Sequence, residues 1–261
     1  MNEQFLADEE LDHWVEIAAE SDPLKRAQGF CADFERLRSA GVTHIHRHYY
    51  SEWDGFAERK AAMEMAGVPI LQEKRTFSWN EPKPPIAVPA RLTFRPLSEI
   101  GQETFLAAVE AAYAGTLDRS AQHDLAHMGG RTLAACVREE WDEISAGFSY
   151  QPNWFQLAYN DSGETVGYTQ PVVFPDCKKD DLEEGSLYHI AVLPQHRGHG
   201  YIDDLLAQSV ATLQKVGVWR IFCDTDSQNS PMIKSFQRAG FDEEGVMHRW
   251  QGEIAALLLP S

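Results

Sequence analysis

The sequence predicts an α/β (α+β) protein with a mixed central sheet flanked by helices. Three observations predict it. Strand-like and helix-like runs alternate over residues 91–255 in the order β-αα-βββ-α-β-α-β. One of those strands, Leu187-Tyr188-His189-Ile190-Ala191-Val192-Leu193-Pro194, turns through glycines straight into a helix-like run. A proline-rich stretch sets this region apart from residues 1–80, which carry a helix and strand pattern of their own.

Residues 81–90 include Pro82, Pro84, Pro85 and Pro89 and read as an extended linker, because proline fixes φ and cannot continue a helix. After it, Leu92-Thr93-Phe94-Arg95 alternates like a first strand. Residues 104–113 and 132–144 have helical periodicity. Residues 154–159 and 166–173 read as two strands joined by the turn Asn160-Asp161-Ser162-Gly163-Glu164. Residues 176–185 form a charged loop. The glycine-turn strand follows, then a helix over 202–216 with Leu205, Leu206, Ser209, Val210 and Leu213 on one face. Residues 218–225 form a strand and 231–239 a short helix stopped by Gly240, and 246–254 close the domain.

The N-terminal segment repeats part of this pattern. Leu37 to Ile45 lies on Leu213 to Ile221, each run ending a helix with Gly-Val. Met65-Ala66-Gly67-Val68 parallels Arg238-Ala239-Gly240-Phe241. No glycine turn precedes the N-terminal helix. Residues 1–80 therefore read as a degenerate half of the same fold without a cofactor loop. Trp14, Phe34, Phe56, Met63 and Met65 read there as core.

Lys plus Arg number 23 and Asp plus Glu 40, which gives a net charge of −17. Such a surface repels nucleic acid and anionic membrane, and no apolar run is long enough for a span. It is compatible with an amine-bearing substrate. Cys31, Cys136, Cys177 and Cys223 are scattered and read as thiols of a reducing compartment, so the expected location is the cytoplasm. The N-terminus is acidic and polar, which predicts no signal peptide. His44, His46 and His48 alternate along a strand, but no Cys, Asp or Glu stands at ligand spacing, so no metal is expected. A homo-oligomer is left open.

Gln195-His196-Arg197-Gly198-His199-Gly200-Tyr201 carries the chemistry. Glycines let the backbone approach a ligand, and the first N–H groups of a helix lack internal partners, so this turn suits a pyrophosphate. A plain surface turn is the competing reading. No Lys-Ser or Lys-Thr follows, and no G-x-G-x-x-G is present, which argues against nucleoside-triphosphate and dinucleotide loops. His196, Arg197 and His199 are placed to add positive charge.

The loop fits every fixed position of Q/R-x-x-G-x-G/A. Downstream, Asn229, Met232, Phe236 and Gly240-Phe241 fit N-x-x-A/M-x-x-x-Y-x-x-x-G-F apart from phenylalanine at the tyrosine position. With both blocks in order over about 91–253, the sequence resembles the GNAT N-acetyltransferase superfamily. The resemblance implies the GNAT fold, acetyl-CoA as co-substrate and an amine of a small molecule or peptide as acceptor. It implies that the pantetheine arm lies along the backbone of Ile190, Ala191 and Val192, with the Val192 N–H polarising the thioester. The pyrophosphate would lie on residues 195–201, with Asn229 and Phe236 beside the arm. Asn229 reads equally as a helix cap.

Strand parity puts Ser186, Tyr188, Ile190 and Val192 on one face and His189 on the other. Relatives with a base on this strand have it where this chain has Tyr188 or Ser186. Glu184 shares the parity and could act through water. Phe236 cannot donate the proton that the family's tyrosine is assigned to give the sulfur. Tyr188, Tyr201 or Ser230 replaces it, or the thiolate leaves unassisted, or the domain is a non-catalytic CoA-binding or regulatory module. Asp224 and Asp226 hold a cationic substrate or make turn hydrogen bonds.

Overall fold

The structure, a computed structural model, describes residues 3–257. The elements in chain order are β1 (Glu3–Phe5), α1 (Asp8–Ala18), α2 (Pro23–Ser39), β2 (His44–Tyr50), α3 (Phe56–Met65), β3 (Ile70–Asn80), β4 (Thr93–Pro96), α4 (Leu97–Ile100), α5 (Gln102–Ala112), α6 (Arg119–Ala126), α7 (Leu133–Gly147), β5 (Gln156–Tyr159), β6 (Thr165–Val173), β7 (Glu183–Val192), α8 (Tyr201–Val216), β8 (Val218–Asp226), α9 (Ser230–Arg238), β9 (Asp242–Glu253) and α10 (Ile254–Leu257). The chain divides into two compact units, Met1–Arg75 with Gly245–Ser261, and Thr76–Glu244. The division falls within β3 and β9, not in the proline-rich 81–90 stretch.

In the first unit β1 runs parallel to β2, and β2 pairs antiparallel with β9 from His44↔Glu253 to Tyr50↔Met247. The core is built from Trp14, Phe30, Phe34, Ile45, Met63 and Trp250. Trp14 donates from Nε1 to the buried Asp33 carboxylate at 2.7 Å, so its one polar atom is satisfied. Met65, expected in the core, is 53 % exposed, whereas Ala62 and Met63 of the same helix are buried. The helix–strand–helix–strand order α2-β2-α3-β3 matches α8-β8-α9-β9. The likeness extends to backbone conformation. Gly41 and Gly217, and Gly67 and Gly240, all sit at positive φ just after a helix. Val68 N–H donates to Met63 C=O at 3.1 Å, and Phe241 N–H to Phe236 C=O at 3.0 Å, the same helix-ending bond in both halves.

In the second unit the strand order is β3-β8-β7-β6-β5-β4. Side chains alternate across β6: Gly167 and Thr169 meet α8, while Tyr168 and Val172 join Phe105, Trp141 and Phe155 under α5 and α7. Leu206, Val210 and Leu213 of α8 pack with Ile221 and Phe236 in a second layer. Helices thus cover both faces, and the ends of β7 and β8 are left to define the site. Residues 183–185, read from the sequence as loop, already belong to β7. α6 had no legible pattern in the sequence.

Candidate functional site

The glycine turn takes the form its sequence dictates. Pro194–His196 makes one 3-10 turn, then Gly198 (φ 82°) and Gly200 (φ 74°) adopt the left-handed conformation that side chains resist. Gly200 is the N-cap of α8, and no side chain caps that helix. A Cβ placed on Gly198 would meet nothing within 4 Å, so open space lies over the turn. The corresponding start of α2 is closed. Asp22 caps it, accepting from Leu24 N–H at 2.9 Å, so a carboxylate of the chain occupies the anion position there.

Arg197 does not point at that space. Its Nε donates to the Val192 carbonyl at 3.1 Å, and its terminal nitrogens donate to the carbonyls of Ala114 (2.8 Å), Gly115 (2.9 Å) and Ala112 (2.8 Å). The expected phosphate ligand is a cap on the C-terminal end of α5. Arg91 stands on the other side of the turn. It is paired with the fully buried Asp204 and lies over the Tyr201 ring at 5.4 Å, with a bond to the Gly200 carbonyl at 3.2 Å. His199 stacks on Tyr201 at 6.0 Å and His196 meets it edge-on at 6.5 Å, while Gln195 is exposed at the turn's start.

β7 and β8 pair in parallel from Glu183↔Val218 to Ser186↔Phe222, and the register ends there. Beyond it, Leu187 to Val192 continue along β6 alone. Leu193 N–H donates to Val166 C=O at 2.8 Å, so the alternation of an antiparallel ladder turns the backbone groups of Ile190 and Val192 away from β6, and those of Ala191 toward it. The Val192 carbonyl is taken by Arg197, which leaves its N–H on the open edge. Cys223 sits at the point of divergence, and burial pushes its thiol up to about 12, which removes it as a nucleophile near neutral pH.

A β-bulge changes the face assignments. Gln170 pairs with His189 and Pro171 with Leu187, so Tyr188 is an extra residue on β7. Ile190 and Val192 pack toward α8, but Tyr188 packs toward α5 and α7. His189 shares that side, 3.1 Å from the Tyr168 hydroxyl and edge-on to Tyr113. The parity expectation fails here, because one inserted residue inverts every assignment beyond it. Glu184 is held by Arg220 through bonds of 2.8 and 2.5 Å at the paired end of the strands.

Glu140, on α7, was missed by the sequence reading. It accepts from the Tyr113 hydroxyl at 2.9 Å, and Tyr188 interacts with the same carboxylate. Burial, then Glu140, raises the pKa of Tyr113 and of Tyr188 well above the usual phenol range, so both stay hydroxyl donors. The sequence did hold a signal. Val137, Glu140, Trp141 and Ile144 share one stripe of α7, and a carboxylate on an apolar stripe is unusual. Beside it, Ala107, Glu110, Ala111, Tyr113, Leu125 and Leu133 line a groove of about 450 Å³ between α5, α6 and α7.

Asn229 and Phe236 of the second block, and Asp226 at the end of β8, have structural partners. Asn229 caps α9, accepting from Met232 N–H at 3.4 Å and donating to Thr225 at 3.2 Å. Phe236 is 2 % exposed and stacks on Phe77 with centroids 5.0 Å apart. Asp226 is fully buried and accepts from the backbone N–H (3.1 Å) and Nε (3.0 Å) of Arg119, so it anchors the start of α6. Among the described residues no group of three His, Cys, Asp or Glu side chains could hold a metal ion, and no helix is long and apolar enough to cross a membrane. Phe5 packs against His46 and His48 on the histidine face of β2.

An uncapped helix start behind a glycine turn lies next to two parallel strands that part, an arrangement whose free N–H groups suit an anion. Residues 123–241 match the acetyltransferase (GNAT) family, and the chain has the GNAT fold. It is similar to a mycothiol acetyltransferase of Arthrobacter sp. (strain FB24), 24% identical over 217 residues that make up 83% of this chain and 61% of that protein. A second mycothiol acetyltransferase, of Pseudarthrobacter chlorophenolicus, is 26% identical over 76% of this chain and 55% of its own length. The chain thus spans little more than half the length of these relatives. The [ribosomal protein bS18]-alanine N-acetyltransferase of Haemophilus influenzae is 27% identical over 44% of this chain and 81% of that protein. Among solved structures, a GCN5-related N-acetyltransferase from Sphaerobacter thermophilus has the same fold at TM-score 0.59, with 16% identity over 88% of this chain and 67% of that one. A tandem GNAT protein from the clavulanic acid biosynthesis pathway has it at TM-score 0.58, with 15% identity over 93% and 72%.

Proposed function

We propose that the chain is an acetyl-CoA-dependent N-acetyltransferase of the cytoplasm that acts on an amine of a small molecule or peptide. The observation that carries this reading is the uncapped start of α8 behind Gly198 and Gly200, open beside the edge of β7 from Leu187 to Val192. N–H groups at a helix start and a positive dipole end suit a pyrophosphate. Residues 195–201 hold that group, with Arg91 rather than Arg197 as the nearer charge. The backbone of Ile190 and Val192 pairs with the extended arm as a further strand would. The Val192 N–H polarises the thioester carbonyl, and orientation along the strand supplies much of the remaining acceleration. The acceptor enters by the groove between α5, α6 and α7, whose mostly apolar wall carries Glu110. Relatives named for mycothiol and for a ribosomal-protein alanine favour an amine acceptor of either size.

Residues 1–80 serve in this reading as a half domain without a cofactor. Asp22 fills the anion position at the start of α2, where the second half has bare N–H groups.

Acetyl-CoA turnover over a panel of small amines and N-terminal peptides, followed by release of free thiol, tests the proposal. Thiol release that depends on an amine supports it. One observation favours a second reading. Phe236 is packed on Phe77 and brings no hydroxyl to the sulfur, as a non-catalytic CoA-binding module would have it. CoA binding by calorimetry without release for any amine would select that module.

A further inference from the structure

We propose that Glu140 accepts the proton that the acceptor amine loses, an assignment that rests on the acetyl-transfer reading above. The bulge at Tyr188 turns its side chain toward α5 and α7, where Tyr113, Tyr168, Tyr188, His189 and Glu140 come together. The three tyrosines are raised above their ordinary range, chiefly by burial, and remain hydroxyls. Glu184 is committed to Arg220. Glu140 is the carboxylate of this cluster, and its Tyr113 partner lines the groove. A carboxylate with hydroxyl donors is fixed in orientation and keeps lone pairs for a further proton.

The step balances without another reagent. The amine nitrogen bonds to the thioester carbon, the carbon–sulfur bond breaks, and the electron pair leaves on sulfur. The nitrogen's surplus proton goes to Glu140 and from there, through solvent, to the thiolate. Such a route needs no hydroxyl at Phe236.

Glu140→Gln and His189→Asn, measured with the full chain, separate the two candidate acceptors. Glu140→Gln should lower kcat by about 10²-fold, the usual scale of a lost general base, with CoA affinity unchanged by calorimetry. The deficit should shrink as pH rises and hydroxide takes over. The titratable and charged groups around Glu140 in that profile are Tyr113 from α5, Asp124 from α6, Glu143 on α7 itself, Tyr168 from β6, Tyr188 and His189 from β7, and Arg197 of the glycine turn. Tyr113→Phe keeps the ring and should cost about tenfold or more in kcat, the worth of one hydrogen bond to a charged group. Glu140→Gln within threefold of wild type, or a loss confined to His189→Asn, overturns the assignment alone. A chain that binds no CoA overturns the acetyl-transfer reading and this one with it. If Glu140→Gln melts early, Tyr113→Phe decides: an unchanged kcat overturns the assignment.

Discussion

Arg197 donates across 2.8 Å to the carbonyl of Ala112, tying the glycine turn to the C-terminal end of α5. The same guanidinium also reaches Ala114 and Gly115, and the Val192 carbonyl at the end of β7. One side chain therefore joins the proposed cofactor turn, the proposed thioester strand and the groove wall at Ala114. Helix carbonyls at a C-terminus carry partial negative charge, so a cation there is favourable, with the gain reduced by solvent exposure.

Arg197→Ala should leave those carbonyls to water. Its expected signature is a rise in the acceptor KM of about fivefold or more, since each 1.4 kcal/mol is tenfold and a charge-assisted bond is worth about as much. CoA affinity should change less, because the turn's own glycines and N–H groups remain. Hydrogen exchange should quicken over residues 112–116. A variant that loses CoA affinity while the acceptor KM holds would return Arg197 to the role of phosphate ligand.

Gly198→Val tests the turn itself. The φ of 82° strains any β-branched residue, and the new side chain would project into the open space over the turn. CoA affinity should fall at least about tenfold, by roughly 1.4 kcal/mol or more. Calorimetry giving wild-type affinity, with an intact circular dichroism spectrum, would remove the turn from the cofactor site.

The order of elements was legible because it rests on local patterns: alternation for β4, helical spacing for α8, and glycine after a helix at Gly217 and Gly240. The turn at Gly198 was legible for the same reason. The roles of Arg197 and Asp226 were not, since each depends on α5 or α6, far away in sequence. The bulge at Tyr188 lies opposite Pro171 of β6, a proline that marks the break in the ladder without saying which residue of β7 is the extra one. It hid the face that Tyr188 shares with His189, and with it the partnership with Glu140.

Phe236 tests whether the second block has a packing or a chemical role. It is stacked between Phe77 and Phe241 with 2 % exposure. Phe236→Ala should cost about 3–5 kcal/mol, the loss expected for a buried aromatic ring. Phe236→Tyr would put a hydroxyl into this stack, at about 1–3 kcal/mol if no partner is found. Thermal melting should register both. Turnover of Phe236→Tyr should stay level with CoA affinity near wild type. A marked rise in its turnover would show the new hydroxyl at the sulfur.

The first unit should be acid-sensitive through His248. The ring is stacked on Trp250 at 5.5 Å and lies 5.0 Å from Phe56, beneath α3. Burial lowers its pKa from 6.5, Lys60 adds to this, and Glu73 and Glu64 oppose it without restoring the ordinary value. The nearest Glu73 oxygen is 3.2 Å from Nδ1, yet that nitrogen makes no well-directed hydrogen bond. Folding therefore favours the neutral imidazole. Its contribution is complete above the unfolded value near 6.5 and is lost as pH falls from there through the folded value. The melting midpoint should drop as pH falls below about 6.5, and His248→Phe should flatten that part of the profile. A His248→Phe profile parallel to wild type over this window would mean that the slope belongs to carboxylates, and the buried ring would carry no linkage.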